Sequence, residues 1–244
     1  MIAFKFLERG AVGRFSGFAW PQPSADHPGD WVTATDEVRQ CYDGVHASQT
    51  GDMLNWLDDE LWQVELEGDI TVHDGMLVAG RGRLLHRVDA WNEQTASVFA
   101  ADCALRARHR ALGALRRVGL TEESERLVQA AGLREVEAAA AAATEATTDP
   151  DAAELTGYVA DAVALVTGRR PDAWRSSAGG NPAITQTPAA TAANVAFVVA
   201  HVAGREAATA NPEDPRSYEV AFKAERATQI AWLITAGVID ASAP

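Results

Sequence analysis

The chain has 244 residues, 47% of them apolar, and a formal net charge of −13. That length and apolar content suffice to bury one large core or two modest ones. The negative charge opposes nonspecific adhesion to nucleic acid or to an anionic membrane. No apolar run approaches the roughly 18 residues that span a bilayer, and the start MIAFKFLERGAVG has too short an apolar stretch and too early an acid for a signal peptide, so a cytoplasmic protein is expected.

Composition changes near Trp91. Residues 1–90 hold 8 of the 49 alanines and 10 of the 19 glycines, whereas residues 91–244 hold 41 alanines and 9 glycines. Alanine favours helix and glycine disfavours it, so the contrast predicts an α+β protein. Residues 1–90 are expected to form a small, mainly antiparallel sheet domain, and residues 91–244 an all-α helical bundle.

In chain order, Ile2, Phe4 and Phe6 alternate with Ala3, Lys5 and Leu7 as a strand with at least one buried face. The segment GAVGRFSGFAWPQPSADHPGDW reads as a loop, parts of which fold back onto the sheet through Phe15, Phe18, Trp20 and Trp31. Asp52 is placed to cap a short helix running through Leu57. Trp62, Val64 and Leu66 alternate with Gln63, Glu65 and Glu67 as a further strand. Gly68-Asp69 and Asp74-Gly75 punctuate the next stretch, and Met76 to Ala79 with Arg83 to Val88 predicts one or two more strands.

Beyond Trp91 the period is helical. Val98, Leu105 and Leu112 recur every seven residues with alanines on the same face, while Arg106, Arg108 and Arg110 fall largely elsewhere. Thr121 before two glutamates opens a second helix that Gly132 closes. The alanine run 138–143 lies in a third helix. Asp149-Pro150, Thr187-Pro188 and Asp214-Pro215 each place a capping side chain before a proline suited to a first helical turn. The middle helix carries VAFVVAHVA at residues 195–203, which suits a bundle centre, and residues 176–188 read as a loop.

Cys41 and Cys103 are far apart and are expected to be reduced thiols. The chain contains no C-x-x-C, H-E-x-x-H, P-loop or G-x-S-x-G pattern, and G-R-F-S-G at residues 13–17 has the wrong spacing for a nucleophile elbow. Gly80-Arg81-Gly82 lacks the third glycine of a dinucleotide fingerprint, and no cofactor or metal is expected. The segment CYDGVHAS, residues 41–48, with Asp58-Asp59-Glu60 downstream, holds the candidate catalytic residues Cys41, His46 and Asp58. They offer a thiol with its base, or metal ligands completed by the acids. The competing reading makes His46 a structural histidine bonded to backbone and Asp58-Asp59-Glu60 a solvated turn. His201, inside the apolar helix, reads as a satisfied core histidine.

Cys41-x-x-Gly44-x-His46-Ala47-Ser48, Asp52-x-Leu54, Trp62-Val64-Leu66-x-Gly68 and Val78-Ala79-x-Arg81-x-Arg83 resemble a small domain of bacterial and phage-associated proteins built around C-x-x-G-x-H-A. Met76-Leu77 departs from that pattern, which carries a lysine before Val-Ala. The segments Phe99-Ala100-x-x-Cys103-Ala104 and Glu225-Arg226-Ala227-x-Gln229 resemble the alanine-rich helical domain of immunity proteins from bacterial polymorphic-toxin systems. The second resemblance implies a protein that neutralises a toxin by binding it. Residues 1–90 carry 15 acids against 7 bases, which suits a basic protein partner such as a nuclease toxin, with Asp52, Asp58, Asp59 and Glu60 as the expected binding acids. The alternatives are an enzyme using the Cys41/His46/acid cluster and a structural or regulatory module with another partner.

Overall fold

The structure, a computed structural model, describes residues 1–34, 44–73, 75–169 and 187–240. The protein is α+β, with an antiparallel five-stranded sheet in its N-terminal part followed by a helical region. The chain divides into two compact units, Met1–Thr95 with Ile230–Pro244, and Ala96–Gln229. The division falls inside the first and last helices and is not a single cut near Trp91. Cys41 and residues 176–186 of the expected loop lie outside the described residues.

The first unit contains β1 (Ile2–Leu7), β2 (Val32–Thr33), β3 (Val45–Ala47), β4 (Glu60–His73) and β5 (Met76–Arg87). The sheet order is β1-β4-β5-β2, and β3 pairs with β5 as well. Ser48, just past β3, exchanges two backbone hydrogen bonds with Phe4 of β1, so the sheet curls until its ends meet. Gly68-Asp69 does not end the strand as the sequence suggests. Register shifts between Glu67 and Ile70, and Gly68 takes φ +88°, so a bulge absorbs the extra residue and bends β4. β5 is likewise one strand, and Gly82 within it packs too tightly for a side chain. A Cβ there would lie 2.7 Å from Val45 Cγ1 and 3.0 Å from Leu66 Cδ2.

Trp62, Val64 and Leu66 are buried with Ala3, Leu7, Trp20 and Leu84 in one core, as the alternation predicts. Of the loop aromatics, Trp20 is buried and Trp31 is flanked by the Arg81 and Arg83 guanidinium groups at 4.6 and 4.5 Å, whereas Phe15 and Phe18 are exposed. Residues Thr50–Trp56 form a 3-10 helix with Gln49 at its N-cap position, without a side-chain cap bond, and Asp52 in its first turn instead of at its cap.

The helical region comprises α1 (Glu93–Arg117), α2 (Thr121–Gln129), α3 (Leu133–Ala146), α4 (Pro150–Val166), α5 (Pro188–Ala210) and α6 (Ser217–Thr235). Among the described residues no helix is long and apolar enough to cross a membrane. Asp149 and Thr187 cap α4 and α5, accepting from the Ala152 and Ala190 amides at 2.8 and 3.1 Å. Asp214-Pro215 forms a turn, and α6 begins only at Ser217. Thr121 is already helical and the N-cap of α2 is Leu120, without a side-chain cap bond; Gly132 is the N-cap of α3. In α1 the buried face runs through Phe99, Cys103, Ala107, Ala111 and Leu115, while Val98 is exposed. Alanine supplies little hydrophobicity, so the larger Val98 draws the apparent face about one residue away from the true one.

Gly204 in α5 lies under the ring of Tyr218 in α6, where a Cβ would meet ring carbons at 2.6 Å. Gly157 in α4 meets nothing within 4 Å. Gly204→Ala is expected to lower stability by about 1–3 kcal/mol through overpacking. Gly157→Ala is expected to raise it by roughly 0.5–1 kcal/mol through helix propensity. Urea unfolding of both variants checks the pair.

Candidate functional site

The turn out of the 3-10 helix carries Asp58, Asp59 and Glu60 into β4. Asp58 and Glu60 are 3% and 5% exposed, so this segment is not a solvated turn. The Glu60 carboxylate accepts four hydrogen bonds. Oε1 takes the Gly10 amide at 3.1 Å and Arg87 Nη1 at 3.2 Å; Oε2 takes the Ala11 amide at 3.0 Å and the Trp62 indole at 3.1 Å. Gly10 and Ala11 have φ of +83° and +60°. Left-handed backbone at alanine costs on the order of 1–2 kcal/mol, and the two amide bonds to a buried carboxylate offset it.

Asp58 accepts from Arg14 Nη2 at 2.7 Å and from the Asp59 amide at 2.8 Å, while its main-chain carbonyl accepts the Trp91 indole at 2.8 Å. Burial pushes its carboxyl up to about 6, against the pull of Arg14 and the amide. Together Asp58 and Glu60 pin the segment that rises above them. Trp20 donates its amide to Ala11, Val12 bridges Ala19, and the Gly13 amide donates to Phe18 at 2.9 Å. The Gly17 amide donates to the Gly13 carbonyl at 2.7 Å, with Gly17 at φ +64°. The G-R-F-S-G stretch is thus the tip of a closed loop.

His46 lies half-buried on β3. Its main-chain carbonyl accepts Lys5 Nζ at 2.6 Å. Burial and the neighbouring Lys5 charge lower the imidazole pKa, and a hydrogen bond with the Gly44 backbone opposes them. Asp52 and Asp59 are half-buried. Of the four acids expected to bind a partner, Asp58 and Glu60 are therefore internal and occupied. Among the described residues no three His, Cys, Asp or Glu side chains are grouped to hold a metal ion.

The helical unit holds two further polar clusters. His201 Nδ1 lies 2.7 Å from Tyr218 Oη, with Tyr158 edge-on at 5.1 Å and Phe197 stacked in parallel, so His201 is a satisfied histidine on a half-exposed aromatic face. Burial and Arg205 lower its pKa and favour the neutral imidazole. The second cluster surrounds Glu225, which is 2% exposed and accepts from Arg106 at 3.2 Å and Arg110 at 2.7 Å. Gln229 bonds both Glu225 and the Ala196 carbonyl, and Arg226 donates to Gln229 at 3.1 Å. Burial pushes the Cys103 thiol up to about 12, which leaves it unreactive.

No protein-family model, curated protein or solved structure matches this chain. The geometry alone therefore carries the reading. Sequence reasoning assigns no role to Arg14, which pairs with Asp58, and its signal, an arginine between two glycines, is weak.

The raised Asp58 pKa has a defined consequence. Below about pH 4 the carboxyl is protonated folded or unfolded, and the folded state is favoured. As pH rises through about 6 the folded chain must hold an ionised, desolvated carboxylate, and that advantage is lost. Asp58→Asn keeps an acceptor for Arg14 but removes the titration. The stability of the wild type relative to Asp58→Asn should fall between pH 4 and 6.5, by on the order of 1–3 kcal/mol, as followed by thermal or urea unfolding across that range.

Proposed function

We propose that the chain is a non-enzymatic binding protein of the toxin-neutralising type, acting through an acidic surface on a basic protein partner. The observation that carries this reading is how the first unit uses its bases. All six described Lys and Arg side chains of residues 1–90 are engaged internally. Arg9 pairs with Glu93, Arg14 with Asp58, Arg81 with Glu67, Arg83 with Glu65 and Arg87 with Glu60, while Lys5 donates to the His46 carbonyl. The surplus acids face water, among them Asp26, Asp30 and Asp69. The first unit therefore presents negative charge, and such a field accelerates encounter with a basic surface and disfavours acidic partners.

The experiment is recovery of a partner by the tagged chain from its source cells, followed by binding kinetics at low and high salt. The triple variant Asp26→Asn, Asp30→Asn, Asp69→Asn should slow association several-fold at low salt, flatten the salt dependence and change dissociation little, because exposed charges steer encounter more than they hold a complex. An acidic partner, or binding that strengthens as salt rises, would contradict the reading.

A further inference from the structure

The loop above Asp58 and Glu60 holds the most exposed aromatic among the described residues. Phe15 is 85% exposed, Phe18 44% and Trp56 38%. Phe15 and Trp56 meet edge to face with ring centroids 6.4 Å apart. An exposed phenylalanine contributes little to folding, since its apolar surface stays in water. Its carrier, however, is held in place. The Val12–Ala19 bridge, the Gly13–Phe18 and Gly17–Gly13 backbone bonds, the Ser16 Oγ bond from the Phe18 amide at 3.2 Å and the Arg14–Asp58 pair fix the tip. Large rings on a preorganised loop are the chemistry of an interface anchor, because the ordering cost of binding is already met within the fold.

The charge around the rings selects the partner. Arg14 is the cation at this tip, and it is spent on Asp58, with Glu8 3.8 Å from its guanidinium. Glu8 and Asp59, both half-buried, act on the same Asp58 carboxyl, so among the described residues the acids grouped around Arg14, the neighbour of Phe15, outnumber it. We infer that the Phe15–Trp56 pair is the anchor with which this chain docks a basic protein, the rings entering an apolar socket whose edge carries Lys or Arg. The inference rests on the basic-partner reading and assigns it a location.

The test places a photo-crosslinking phenylalanine at position 15 and, as a control, at exposed position 72. The full chain is irradiated in extract of its source cells, and the captured protein is identified by mass spectrometry. That protein is then purified and titrated with wild type, Phe15→Ala, Trp56→Ala and Val72→Ala. The expected result is one basic protein captured at position 15 and not at 72. Its affinity should fall at least about tenfold for Phe15→Ala and remain unchanged for Val72→Ala, with the thermal midpoint of Phe15→Ala unaltered. A basic partner that binds Phe15→Ala as tightly as wild type overturns the docking site and leaves the basic-partner reading standing. An acidic partner, or a second copy of this chain, at position 15 overturns the proposal. If the wild type retains no partner at all, the proposal and the reading beneath it both fail.

Discussion

The buried carboxylate of Glu60 ties together parts of the first unit that are distant in sequence. Its four donors come from the turn at Gly10-Ala11, from β4 itself through Trp62, and from the end of β5 through Arg87. Without a carboxylate there, two amides in left-handed backbone would lose their acceptor, at about 1–3 kcal/mol each if they stayed dry. The loop that displays Phe15 starts from this turn, so the exposed surface depends on an internal anion. Asp58 adds a second tether through Arg14, at the cost of a carboxyl held above its ordinary range.

The helical unit uses the same device with different donors. Glu225 receives two arginines from α1, and Gln229 carries the link to the backbone of α5. Buried ion pairs contribute little net stability against an apolar replacement, but removing one partner is costly, so such a network fixes which helix faces meet. Alanine-rich helices pack closely with little to distinguish one register from another. A carboxylate that accepts only where Arg106 and Arg110 converge supplies that distinction.

Legibility in the sequence tracks the range of the interactions. The β4 alternation, the Asp149 and Thr187 caps and the apolar core of α5 depend on neighbours within a few residues, and each is readable. Glu60 is 50 residues from Gly10 in the chain, and nothing local separates it from a solvated acid. Arg106 and Arg110 resemble a solvent face because arginines on a helix usually are one, yet they reach Glu225 more than a hundred residues away. Phe15 misleads in the other direction. Apolarity predicts burial, and the tight loop between Gly13 and Gly17 holds the ring in solvent instead. Within Glu225-Arg226-Ala227-x-Gln229 the three polar side chains are all buried, which gives that stretch a physical role in the fold independent of any family resemblance.

An internal carboxylate organises the surface loop, and amide hydrogen exchange of Glu60→Gln tests this most directly. The carboxamide presents an N–H₂ to donors that need an acceptor, so at least one of the Gly10 and Ala11 amides, or the Trp62 indole, is orphaned. Protection at Gly10, Ala11 and the 12–19 loop should fall by about tenfold or more while the β1–β4 ladder at Ala3 and Val64 keeps its protection. Unchanged exchange at Gly10 and Ala11 in a folded Glu60→Gln chain would contradict it.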